Sequence, residues 1–174
     1  VSAADNGSVP GFWERLRLGL RGGPGPGVLP IGEALHPVAL AAMALLVLND
    51  WVLKARYGGV VTGKLSDLTG LAAGPVVLTA LIGLVRLAAQ RLGARVDPYL
   101  THRRLVSAIV ATGGVFAAVK LSPGPAGWFT DLLGLVRHAE VRVDRTDLLC
   151  LPALAIAYWI GRDELRRLGS ERTG

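Results

Sequence analysis

Residues 68–85 read LTGLAAGPVVLTALIGLV, eighteen consecutive positions without a charged side chain. A stretch of this kind suits a membrane-crossing helix, which needs about 20 mostly apolar residues at a rise of about 1.5 Å each. Three further uncharged runs lie to either side of it: Ala34–Asn49, Leu105–Val119 and Leu148–Gly161, of 16, 15 and 14 residues. Each of the four runs stops, on the same side, at an acid or a lysine: Asp50 and Lys54, then Asp67, then Lys120, then Asp147. The pattern predicts an all-α, polytopic four-helix transmembrane bundle, with spans at about 34–53, 67–88, 103–121 and 147–162. The shorter runs reach the needed length only if their terminal charges are included. Arg104 to Lys120 is about 24 Å of helix and Asp147 to Arg162 about 22 Å, which places Lys120 and Asp147 at or just inside one hydrocarbon boundary.

Composition agrees. Of the 174 residues 51% are hydrophobic, 23 are glycine and 18% are charged, against roughly 25% charged in soluble domains. The length suits one four-span unit (31–165) with a cytoplasmic tail (166–174). Of 19 lysines and arginines, twelve fall on the termini and the central connection and seven on the first and third connections. Lys/Arg excess marks the cytoplasmic side, so both termini are expected inside a bacterial inner membrane. The net charge of +6 is thus mainly a topology signal, and without a recognition motif no nucleic-acid partner is expected.

Residues 1–30 contain no apolar run long enough for a cleavable signal, so the first span would serve as an uncleaved anchor. Residues 1–11 read as disordered. Phe12, Leu16 and Leu20 recur at helical spacing among Arg15, Arg17 and Arg21, which predicts a short helix in the headgroup layer or a soluble cap on the bundle. Gly22–Gly27 is a breaker run and reads as a linker. The long third connection, Leu121–Thr146, contains Trp128 and Phe129 and suits a short interfacial or re-entrant helix.

The outer charges admit two readings. Lys54 and Lys120 can snorkel, and Asp67 and Asp147 can cap helix N-termini. Alternatively Asp50, Lys54, Asp67, Lys120 and Asp147, supported by Asn49, Lys64 and Ser66, form one polar cluster that holds a ligand. Asp50 lies deepest, and Lys54 at i+4 is its nearest partner. The sub-motif Ser66-Asp67-Leu68 recurs as Thr146-Asp147-Leu148. It reads either as two parallel two-helix repeats or as recurring N-cap chemistry. Gly70 and Gly74 form a Gly-x-x-x-Gly face, and Gly113 and Gly114 flatten the third span for close helix packing, within the bundle or between protomers. Cys150 reads as a small packing residue.

Asn49-Asp50-Trp51-Val52-Leu53-Lys54 and Thr62-Gly63-Lys64-Leu65-Ser66-Asp67-Leu68-Thr69-Gly70-Leu71 resemble a pattern of small bacterial multi-pass proteins. The resemblance covers about 23 residues and implies membrane location without an activity. A looser likeness is to the VanZ-like family, in its short paired spans, its acid–lysine element and its later aspartate. The histidine and asparagine usual in that family are absent here, so no site residue carries over.

His36, His102 and His138 lie on separate segments, and no metal site or cofactor is expected. The leading functional reading is a binding or scaffold role toward the lipid bilayer or a membrane protein partner. A small homo-oligomeric transporter or channel subunit is the alternative. An envelope-lipid hydrolase comes third, for want of a nucleophile–base set.

Overall fold

The structure is a computed structural model and describes residues 11–21, 29–122 and 144–171. Among them every regular element is a helix, without a strand. Helix α1 is Phe12–Arg21. Helix α2, Pro37–Tyr57, carries a π-helical turn at Asn49–Leu53. Helix α3 is Val60–Arg91 and α4 is His102–Leu121. A 3-10 segment, Arg145–Ala153, leads into α5, Leu154–Glu171. Three of these helices, α2, α3 and α4, are long and apolar enough to cross a membrane.

Local chemistry sets the helix ends. His36 caps α2, its Nδ1 accepting from the Val38 N–H at 3.2 Å, with Pro37 at the first helical position. Gly58 and Gly59 turn the chain between α2 and α3, where the Thr62 hydroxyl accepts from the Gly59 N–H and donates to the Gly59 carbonyl. The far end of α3 closes on Gly93 at φ 96°. There the Gly93 N–H bonds Gln90 O and the Ala94 N–H bonds Ala89 O, a Schellman stop that favours glycine. Thr101 caps α4 through the Arg104 N–H.

Helix α3 packs against α2, α4, the 3-10 segment and α5. Ala39, Val76, Ala157 and Ile160 fill its middle contacts. Leu71, Cys150 and Ala153 fill one end, and Leu100, Leu105 and Leu168 lie between α4, α5 and the loop before α4. Large apolar side chains also cover much of the perimeter, among them Val85, Val110 (67% exposed) and Leu149 (80% exposed).

Several expectations are corrected. The second helix begins at Val60, seven residues before the expected start at 67, so Asp67 lies inside α3 and caps nothing. The first helix runs 37–57 instead of 34–53 because His36-Pro37 is the start signal. Asp147 lies in the first turn of the 3-10 segment, whose cap is Asp144. A Cβ on Gly74 would meet Thr112 at 3.3 Å, and one on Gly113 would meet Leu154 at 2.8 Å. Gly70 and Gly114 have no atom of the described residues within 4 Å of an added Cβ, so within the chain half of these glycines make close packing contacts. Residues 1–10 of the stretch expected to be disordered, the expected 22–27 linker, His138 and the helix expected near Trp128 lie outside the described residues.

Candidate functional site

Polar side chains collect at both ends of the bundle, around lysines at one and arginines at the other. At the lysine end, Lys64 and Asp67 share one face of α3 by their i, i+3 spacing. Lys120, in the last turn of α4, donates to Asp67 Oδ2 at 2.8 Å and to Asp147 Oδ2 at 2.7 Å. Lys64 donates to Asp147 Oδ1 at 3.0 Å and to the Thr146 hydroxyl at 2.8 Å. Asp147 therefore receives one amine on each oxygen, and the four charges bind α3, α4 and the 3-10 segment together. Lys120 is only 8% exposed and its amine lies 5.5 Å from the Phe116 ring centroid, a cation–π arrangement.

A second group sits beside the first. Asp50 Oδ1 accepts from Lys54 Nζ at 2.7 Å, the Ser66 hydroxyl at 2.9 Å and Asn49 Nδ2 at 3.3 Å. Asn49 Nδ2 also donates to Thr62 O at 2.8 Å and so joins α2 to α3. The π turn presents these residues: the Lys54 N–H reaches back to Asn49 O, and such bulges often mark functional positions. Among the described residues Asn49 Oδ1, which is buried, has no hydrogen-bond partner. Ser66 and Asp67 are consecutive on α3, so Ser66 meets α2 while Asp67 meets α4. All eight expected cluster residues thus stand at one end, in two adjoining groups. Asp50, Asp67 and Asp147 are matched by Lys54, Lys64 and Lys120. Just beyond, the Thr146 backbone N–H and hydroxyl hold the Asp144 carboxyl below the usual aspartate range.

The arginine end was not among the expected site residues. Residues 29–36 tuck into the bundle ahead of α2. Pro30 packs where a Gly83 Cβ would stand, and the Glu164 carboxylate lies against Gly32. Glu33 is 2% exposed and Glu164 1% exposed. Burial pushes the Glu33 carboxyl up to about 7, against its own backbone N–H and the Thr79 hydroxyl, which favour the ionised form. Arg104 spends Nη1 on Pro98 O (2.8 Å) and Nη2 on Asp97 O (3.0 Å), and among the described residues its buried Nε and that of Arg86 have no hydrogen-bond partner. His36 Nε2 lies 3.8 Å from Asp163 Oδ2, which Arg167 Nε also reaches at 2.9 Å, and Trp159 meets the His36 ring edge-on.

A sequence signal for half of this site does exist. Ala153, Ala157, Ile160, Glu164 and Leu168 follow helical spacing and are all buried, so Glu164 stands on an apolar stripe. Glu33 carries no such signal, because it reaches the core from a turn.

Among the described residues no group of three or more His, Cys, Asp or Glu side chains is placed to hold a metal ion. No family model, curated protein or solved structure matches the chain.

Proposed function

We propose that the chain is a multi-pass integral protein of a bacterial cytoplasmic membrane with both termini inside, and that its lysine end is an outer docking site for phospholipid headgroups. The observation that carries the reading is the setting of Lys54 and Lys64. Their side chains are 40% and 36% exposed, in a rim that also exposes Trp51, Tyr57, Val61 and Leu149. An ammonium has three donors. Among the described residues Lys64 uses two and Lys54 one, which leaves N–H groups for a lipid phosphate. Apolar and aromatic neighbours suit the acyl chains and the interface.

Helix geometry supports a fourth crossing. The apolar run Leu148–Gly161 has six 3-10 residues at about 2.0 Å rise and eight α-helical residues at about 1.5 Å, which together reach about 24 Å of a hydrocarbon layer about 30 Å thick. The 3-10 segment thereby lengthens a short apolar run. The two aspartate half-motifs are compatible with a parallel duplication, although Asp67 lies well inside an α-helix and Asp147 in a 3-10 turn. In α1, exposed Phe12, Trp13 and Leu20 suit an interfacial position.

Native mass spectrometry of the protein released from mild detergent tests the docking role. Lys54→Gln/Lys64→Gln should retain severalfold less phospholipid than wild type at equal folding, judged by thermal unfolding. Equal retention would remove the reading. A small transporter subunit is the second reading, favoured by the buried carboxyls at the opposite end.

A further inference from the structure

We propose that Arg86 and Arg104 form a clamp for a phosphate group at the arginine end of the bundle, that of an anionic phospholipid in the adjoining leaflet. The site is separate from the lysine end and does not depend on headgroup docking there. Its basis is a pair of guanidinium groups with donors left over. Each Nε is buried, and among the described residues neither has a hydrogen-bond partner. Arg104 gives two of its five N–H groups to the carbonyls of Pro98 and Asp97. No hydrogen bond or ion pair joins Arg86 to a described residue. A buried charged donor without an acceptor is costly. Both groups therefore call for oxygen atoms that the described residues do not supply.

Packing brings the two side chains to one level. Helices α3 and α4 run antiparallel: Lys120 bonds Asp67, and a Cβ on Gly74 would meet Thr112 at 3.3 Å. Carried along the pair, that register sets Arg86 level with the start of α4, where Arg104 is the third residue. The offset between them is about one helical turn, or about 6 Å along the axis, which two arginine side chains span. Arg86 is near enough for its charge to act on Arg104. Two like charges at this range repel unless an anion stands between them. The charges of Glu33 and Asp97 also reach Arg104, but among the described residues neither arginine forms an ion pair.

The depth of the pair selects the anion. Along α3 the nineteen residues from Asp67 to Arg86 cover about 28 Å, close to the hydrocarbon thickness of about 30 Å. With Asp67 at one boundary, Arg86 reaches the other, where phospholipid phosphates lie. Guanidinium forks match phosphate oxygens two N–H groups at a time. Val85 and Val106, each within two residues of one of the arginines, are exposed and offer apolar surface to acyl chains. Arg91, Arg95 and Arg103 are exposed at the same end, and their charge favours a lipid with net negative charge.

The test is thermal unfolding of the full chain in uncharged detergent, with phosphatidylglycerol, phosphatidylcholine or inorganic phosphate added at equal phosphate concentration. Phosphatidylglycerol should raise the unfolding midpoint by several degrees and should still do so in Lys54→Gln/Lys64→Gln. Phosphatidylcholine, whose phosphate carries its own cation, and inorganic phosphate should each do less. Arg86→Gln should lose most of the shift. Arg104→Lys, which keeps the charge and removes the fork, should lose as much, and it decides the matter if Arg86→Gln does not fold. Arg103→Gln, an equal change of charge at an exposed position, should keep most of it. No shift in wild type, an undiminished shift in Arg86→Gln or Arg104→Lys, or the same loss in Arg103→Gln would overturn the proposal. Loss of the shift in the lysine variant would place the lipid at the other end and overturn it too. An equal shift from inorganic phosphate or phosphatidylcholine would overturn the assignment to an anionic lipid.

Discussion

The two ends of this bundle bury charge by opposite means. At the lysine end each aspartate has an amine within 3.0 Å, and three carboxylates meet three ammonium groups. At the arginine end two glutamates are buried more deeply, and Arg104, whose charge bears on Glu33, bonds the backbone carbonyls of Pro98 and Asp97. Along α3 the twelve residues from Asp67 to Thr79 separate the two layers by about 18 Å, with Ala39, Val76, Ala157 and Ile160 between them. Flexible lysine chains can seek out acids, and here they close a network that fixes helix positions. Burial favours the protonated form of an enclosed acid that has no ion pair among the described residues. The first end should therefore be insensitive to pH near neutrality and the second sensitive.

The largest expected effect comes from opening the lysine network. Lys120→Met leaves Asp67 and Asp147 close together without their shared amine and should destabilise the protein by about 3–5 kcal/mol, as removal of one partner of a buried pair does. Thermal unfolding in detergent measures it, and a loss below about 1 kcal/mol would show that the network is incidental.

Glu33 sharpens the contrast through pH. Its folded carboxyl titrates higher, at about 7, than its ordinary value of 4.5. The stabilisation from binding its proton is complete below the ordinary value and is lost as pH rises through the folded one. Wild type should lose roughly 3 kcal/mol across that window, whereas Glu33→Gln should be nearly flat. Parallel curves for the two proteins would break the comparison.

Glycines give a smaller pair of effects. Gly32→Ala drives a methyl group into the Glu164 carboxylate and should cost about 1–3 kcal/mol, as overpacking does. Gly70→Ala, with open space around it, should be neutral or gain up to about 1 kcal/mol of helix propensity. Smallest of all is Lys54→Gln, which breaks a half-exposed i, i+4 pair and should cost about 0.3–0.5 kcal/mol.

Much of the lysine end was legible in the sequence because its residues end apolar runs, and the ends of such runs fall at one level. Asp50 and Lys54 could even be paired by their spacing. The long lead of α3, Val60–Ser66, was not legible, since Lys64 and Asp67 interrupt the hydropathy pattern while their charges are neutralised by residues distant in sequence. The division into two groups depends on the π turn at Asn49–Leu53, which no residue type announces. The arginine end was hidden for another reason. Glu33 and Glu164 lie outside the uncharged runs, where a charge ordinarily signals solvent, and only folding of the 29–36 turn against Gly83 and Thr79 encloses them.

The account rests on the two ends facing opposite sides of one bilayer. The direct measurement is labelling by a membrane-impermeant maleimide in intact cells, after Cys150→Ala removes the single native thiol. Arg56→Cys, exposed beside the lysine end, should react before permeabilisation, and Arg95→Cys, exposed beside the arginine end, only after it. Reaction of both from the same side, or recovery of the chain in the soluble fraction without detergent, would contradict the account.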